Sequence, residues 1–124
     1  MKRVLVVDDD GEMRSLLKDF IEEEEGFEVD WVGDGSEAFL KLLGKDFDLI
    51  ITDIRMPGLS GLDIIPALKN QHPEIPIIAI TAFGGEETNR KAFARGANAY
   101  LEKPIPLDRL RNLIHEFIPS HGKC

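Results

Sequence analysis

The chain has 124 residues, of which 43% are hydrophobic and 31% charged, which fits one globular domain and excludes a long disordered chain or a fibrous repeat. Fifteen Lys and Arg against 23 Asp and Glu give a net charge of −8, which argues against direct binding to a nucleic-acid backbone. The excess acid is uneven: residues 1–84 hold 8 basic and 18 acidic side chains, residues 85–124 hold 7 and 5.

Met1-Lys2-Arg3 and the apolar residues 4–7 have the outline of a secretory signal, but the run stops at Asp8-Asp9-Asp10, too soon for one. Residues 4–7 instead read as a first strand. Met13, Leu16, Leu17, Phe20 and Ile21 follow a helical period, and Glu22 to Glu25 read as the solvated end of that helix. Residues 28–32 alternate as an edge strand does. Ala38, Phe39, Leu42 and Leu43 form a second helical stripe, ended by Gly44. Residues 49–52 are a third strand. A helix at about 62–70, with Pro66 in an early turn, leads to a fourth strand at 75–81. A helix at about 86–95 closes on Gly96, residues 99–101 form a short fifth strand, and Leu107, Leu110, Leu113, Ile114 and Phe117 mark the last helix.

Strand and helix thus alternate five times. That pattern predicts an α/β fold: a doubly wound parallel sheet of five strands, with helices on both faces. No apolar run approaches the ~18 residues of a membrane span. The one cysteine, Cys124, leaves no disulfide framework and no cysteine metal site, and suits a reducing cytosol.

In an open parallel sheet, ligands bind beyond the carboxyl ends of the strands. Here those ends carry Asp8-Asp9-Asp10, Asp53, Thr81-Ala82 and, just past the fifth strand, Lys103-Pro104. If the first and third strands are neighbours, Asp8, Asp9 and Asp53 converge. Converging carboxylates repel unless a cation joins them, and an all-oxygen donor set suits a hard ion, with Mg²⁺ the default. Carboxylates, metal, ammonium and hydroxyl together make a phosphoryl-transfer site. An acid after a strand is equally able to cap the next helix, and Asp10 is read as such a cap.

The strings Val7-Asp8-Asp9, Thr52-Asp53-Ile54-Arg55-Met56-Pro57-Gly58, Ser60-Gly61, Ile80-Thr81-Ala82, Gly96-Ala97 and Tyr100-Leu101-Glu102-Lys103-Pro104 resemble, in order, the receiver domain of bacterial two-component response regulators. The resemblance runs from residue 3 to about 117, giving a receiver domain at 1–118 and a tail at 119–124. It implies a flavodoxin-like (βα)5 three-layer sandwich with strand order 2-1-3-4-5, as in the chemotaxis regulator.

It further implies that Asp53 accepts a phosphoryl group from a histidine kinase or a phosphotransfer protein. Asp9, Asp53 and the backbone carbonyl of Arg55 would bind Mg²⁺, with Asp8 acting mainly through metal-bound water. Thr81, Ala82 and Lys103 would hold the phosphoryl oxygens. Thr81 and Tyr100 would be the switch pair, and Arg55 and Phe83 would tune the lifetime of the acyl phosphate. The Lys103–Pro104 bond is expected to be cis. The resemblance implies a cytoplasmic signalling domain rather than a turnover enzyme. It would act through the surface of the fourth helix, fifth strand and last helix on a downstream protein or output domain, or through a phosphorylation-dependent homodimer. Nucleic acid and membrane are not expected partners. The chain reads either as a stand-alone receiver or as the first part of a longer regulator.

Two other readings use the same residues. Asp8-Asp9-Asp10-Gly11 fits the opening of haloacid-dehalogenase-type phosphatases, with Asp8 as nucleophile, but Glu12 replaces the usual Thr or Val. A receiver-like scaffold that is never phosphorylated is the other. Trp31 and the Phe residues are read as packing groups, and His72, His115 and His121 are not read as phosphoacceptors.

Overall fold

The β-branched runs become strands because Val, Ile and Thr pack well on a pleated surface that is covered on both sides. The computed structural model describes residues 1–54, 61–82 and 84–118. Its elements are β1 (Lys2–Val7), α1 (Gly11–Glu22), β2 (Phe27–Val32), α2 (Gly35–Gly44), β3 (Leu49–Asp53), α3 (Gly61–Gln71), β4 (Ile77–Thr81), α4 (Glu86–Ala94), β5 (Ala99–Glu102) and α5 (Leu107–Phe117). All strand pairs are parallel and the sheet order is β2-β1-β3-β4-β5, the predicted doubly wound topology.

The side-chain period of two splits the strands between two cores. Leu5, Val7, Ile50, Ile77, Ala79 and Tyr100 pack with Ala38, Leu42, Ile64, Ile65, Leu68 and Ala92, under α2, α3 and α4. Val4, Val6, Leu49, Ile51, Ile78, Ile80 and Leu101 pack with Leu17, Ile21, Leu110 and Ile114, under α1 and α5. This is the three-layer sandwich. The fully buried aliphatic positions resist truncation: Leu5→Ala or Ile51→Ala in such a core costs about 2–5 kcal/mol.

Local chemistry sets the boundaries. Asp10 caps α1, accepting from the backbone N–H of Glu12 and Met13. Asp34 caps α2 through the Glu37 N–H, and Glu37 reaches back to the N–H of Gly33. The fourth strand starts two residues later than the sequence suggested, at Ile77. Pro76 has no N–H to donate, and its carbonyl accepts from Ile50 at 3.0 Å instead. Pro66 lies inside α3, in its second turn.

Two stripe residues are not core. Leu16 is 43% and Leu43 84% exposed, because each sits at the edge of an apolar face whose centre is filled by Leu17 or Leu42. Nor is the Glu22 to Glu25 run simply solvated. Glu22 accepts the Val29 N–H at 2.8 Å and pairs with Lys18, tying the end of α1 to β2, and Glu24 pairs with His115 on α5.

Candidate functional site

Parallel pairing of β1 with β3 aligns Val7 with Thr52, so the next residues, Asp8 and Asp53, leave the sheet side by side. Asp8 is fully buried, Asp53 is 5% exposed and Asp9 is exposed. One ligand oxygen from each of the three lies within 4.8 Å of the others. The convergence read from the sequence is therefore present.

Lys103 lies just past β5. Its Nζ donates to Asp8 Oδ2 and to Asp53 Oδ2, each at 3.0 Å, bridging the two carboxylates. Its backbone N–H donates to the Thr81 carbonyl at 2.8 Å, which anchors the strand end beneath the ammonium. The Lys103–Pro104 peptide bond is cis. Asp8 is further held by the Asp10 N–H on Oδ1 at 2.9 Å. Asp10 itself faces the helix it caps, as read from the sequence.

The electrostatics follow from this crowding. Burial pushes the Asp8 carboxyl above the ordinary aspartate value; the Asp10 N–H and Lys103 pull it back, and the neighbouring Asp53 pushes it up again. For Lys103, burial disfavours the charged form, yet the hydrogen bonds to Asp53 and Asp8 and their charges outweigh it and raise its pKa. With all groups charged, three carboxylates face one ammonium among the described residues, a formal −2. Oxygen donors with that deficit, and with no His or Cys, fit a hard divalent cation such as Mg²⁺ better than a transition metal.

Thr81 is buried at the end of β4, and Ala82 after it is exposed. Tyr100 lies inward, in the core beneath α4, and burial raises its pKa. Two expected site residues, Arg55 and Phe83, lie outside the described residues, as does Gly58. The phosphatase alternative makes Asp8 the nucleophile, but that carboxylate is fully buried against Lys103 and the Asp10 N–H.

The sequence reading missed Arg14. It stands one turn beyond Asp10, and its guanidinium donates to the Asp8 carbonyl at 3.3 Å while lying 4.0 Å over the Trp31 ring. Its position four residues after a helix cap was the available signal, since a long side chain there can fold back over the strand end. Trp31 is a packing residue as read, 46% exposed beneath that arginine.

Comparison with known proteins agrees with the geometry. The sequence model described as the response regulator receiver domain matches residues 4–115. The transcriptional regulatory protein CpxR of Escherichia coli is 42% identical over 105 residues, which is 85% of this chain and 44% of CpxR. The solution structure of the beryllofluoride-activated NtrC4 receiver domain dimer superposes with a TM-score of 0.89 at 36% identity, covering 97% of this chain and 98% of that one. TrrA of Thermotoga maritima, a response regulator protein solved in complex with Mg²⁺ and BeF, superposes with a TM-score of 0.84 at 36% identity, covering 95% and 100%. The chain spans less than half the length of the curated relatives it matches.

Proposed function

Since the chain belongs to the response regulator receiver domain family, a signalling domain of two-component systems, we propose that Asp53 is its phosphoacceptor and that the reaction depends on Mg²⁺. The observation that carries this reading is the meeting of Asp8, Asp9 and Asp53 within ligand distance of one another, with Lys103 bridging two of them. Asp9, Asp53 and the Arg55 carbonyl would hold the cation, and Asp8 would act through its water. Bound Mg²⁺ would neutralise charge on the incoming phosphoryl oxygens.

A carboxylate oxygen of Asp53 attacks phosphorus. The phosphorus–nitrogen bond of a phosphohistidine on the kinase, or on a phosphotransfer protein, breaks, and the freed imidazole keeps the bonding pair. Lys103 stabilises the carboxylate form of Asp53 before the attack and a phosphoryl oxygen after it. Thr81 and the Ala82 N–H are the proposed donors to the remaining oxygens. Phe83 and Arg55 would govern how readily water reaches the phosphoryl group.

The acyl phosphate carries roughly −1.5 to −2 charge in place of the single charge of the Asp53 carboxylate. The response is a population shift in which the phosphate favours the state with Thr81 forward, toward it, and Tyr100 turned inward. Moving such a balance from 1:99 to 99:1 takes about 5.5 kcal/mol of differential interaction. A few charge-assisted hydrogen bonds supply a useful part of it. The altered surface is that of α4, β5 and α5, and its target is a downstream protein, an attached output domain or a second copy. Among the described residues, no helix is long and apolar enough to cross a membrane, and the reading places the domain in the cytoplasm beside its kinase.

The test is incubation with acetyl phosphate and Mg²⁺, followed by intact mass measurement. A gain of one phosphoryl mass that vanishes with chelator and in Asp53→Ala supports the reading. No gain under any condition returns the chain to the scaffold reading.

A further inference from the structure

A buried tyrosine hydroxyl needs polar partners, and those of Tyr100 lie outside the acidic pocket. The hydroxyl donates to Glu102 Oε2 at 3.4 Å and accepts the Gly85 N–H at 3.3 Å. Both separations are long for their types, so neither alone fixes the ring. The fit of the loop above it adds what they lack. Gly84 packs so closely that a Cβ there would overlap both the Tyr100 hydroxyl and the Glu102 carboxylate.

The strand geometry makes Glu102 the natural holder. Tyr100 and Glu102 are two residues apart on β5 and share a face. Glu102 is also the register partner of Thr81. One exposed carboxylate therefore sits at the end of the strand pair that carries the phosphoryl-binding threonine and the tyrosine.

We infer that Glu102 and Gly84 form a latch that keeps Tyr100 inward: Glu102 is a positioning residue that accepts the phenolic hydrogen, and Gly84 leaves the space the two groups occupy. The inference deepens the switch role proposed for Tyr100 and rests on it for its signalling consequence. Without Glu102 the hydroxyl loses this acceptor, and the outward position, where water accepts, gains population. A methyl group at position 84 drives hydroxyl and carboxylate apart by contact alone.

Tyr100 is the single tyrosine, so labelling with 3-fluorotyrosine gives one fluorine NMR probe of its position. In the unmodified chain the probe should be shielded from a soluble paramagnetic agent. Glu102→Ala should shift the inward-to-outward ratio by a few-fold, less than the roughly tenfold that loss of a short hydrogen bond to a charged group gives. Glu102→Gln, which keeps an acceptor, should restore most of the shielding. Gly84→Ala should expose the ring at least as much as Glu102→Ala. Equal shielding in the unmodified chain, Glu102→Ala and Gly84→Ala overturns the latch.

The readout needs no phosphoryl transfer. A chain that fails to take up phosphate but shows these shifts loses the proposed function and keeps the latch. A chain that phosphorylates Asp53 with no shift in any variant loses the latch alone.

Discussion

Two clusters of lysine and aspartate sit at different depths of this molecule, with opposite stoichiometry. On the surface, Asp30 of β2 lies between Lys45 at 2.8 Å and Lys41 at 3.9 Å, one acid for two bases. At the carboxyl end of the sheet, Lys103 lies at 3.0 Å from both Asp8 and Asp53, one base for two acids, with Asp9 close by. The lysines of the first cluster are 41% and 45% exposed at their side chains and Asp30 is 13%, whereas Lys103 is 14%, Asp53 7% and Asp8 0% exposed. Water and salt reach the lysines of the first cluster, so their charge matters little to folding. Burial keeps the second unscreened, and the cost shows in the raised Asp8 carboxyl. A fold gains nothing by gathering three carboxylates around one ammonium; a cation site does.

Breaking the deeper cluster should have the largest effect. Lys103→Ala removes the ammonium shared by two carboxylates that have little access to water. Without Mg²⁺ it should cost about 3–5 kcal/mol of stability, read as a lower urea midpoint, and Mg²⁺ should restore part of that loss. An unchanged midpoint would erase the contrast between the clusters.

Asp8→Asn should act the other way. It keeps an oxygen for the Asp10 N–H and removes a charge, and should raise metal-free stability by about 1 kcal/mol while weakening the gain from Mg²⁺. The sign with pH follows from the raised carboxyl. Because folded Asp8 holds its proton more tightly than the unfolded chain does, stability falls as pH rises from the ordinary aspartate value through the folded one. Thermal melts across that window should show the fall in the metal-free chain and a flatter profile in Asp8→Asn.

The surface cluster sets the lower end of the scale. Lys45→Ala, which removes an exposed partner, should cost no more than about 1 kcal/mol, and less still in molar salt. A larger, salt-insensitive loss would mean that depth is not what separates the two sites.

Glu22 gives the smallest effect and a pH signature of opposite sign. The Val29 N–H and Lys18 hold its carboxyl below the ordinary glutamate value, so its contribution is present above that value and disappears as pH falls through the folded one. Glu22→Gln should lower stability slightly at neutral pH and match the unmodified chain in acid, as seen in paired denaturation curves.

Much of this was legible in the sequence because it is periodic or terminal. The β-branched runs named the strands, and the acids at their ends named the pocket, since parallel strands deliver residues to one edge without help from distant contacts. Asp10 was readable as a cap for the same local reason. What stayed hidden depends on reach across the fold. Arg14 folds back to the Asp8 carbonyl and over Trp31, Glu22 crosses to Val29, and Glu24 meets His115 across 91 residues. No local period encodes such contacts. Leu16 and Leu43 show the converse, since a helical stripe marks which side of a helix is apolar but not how far the covering sheet extends.

The central claim is that Asp53, and not Asp8 or Asp9, becomes joined to phosphorus. Borohydride reduces an acyl phosphate to an alcohol and so converts a phosphorylated aspartate to homoserine. After reaction with acetyl phosphate and Mg²⁺, reduction and peptide mass mapping should find homoserine at position 53 alone. Homoserine at position 8 or 9 with Asp53 intact would contradict the account.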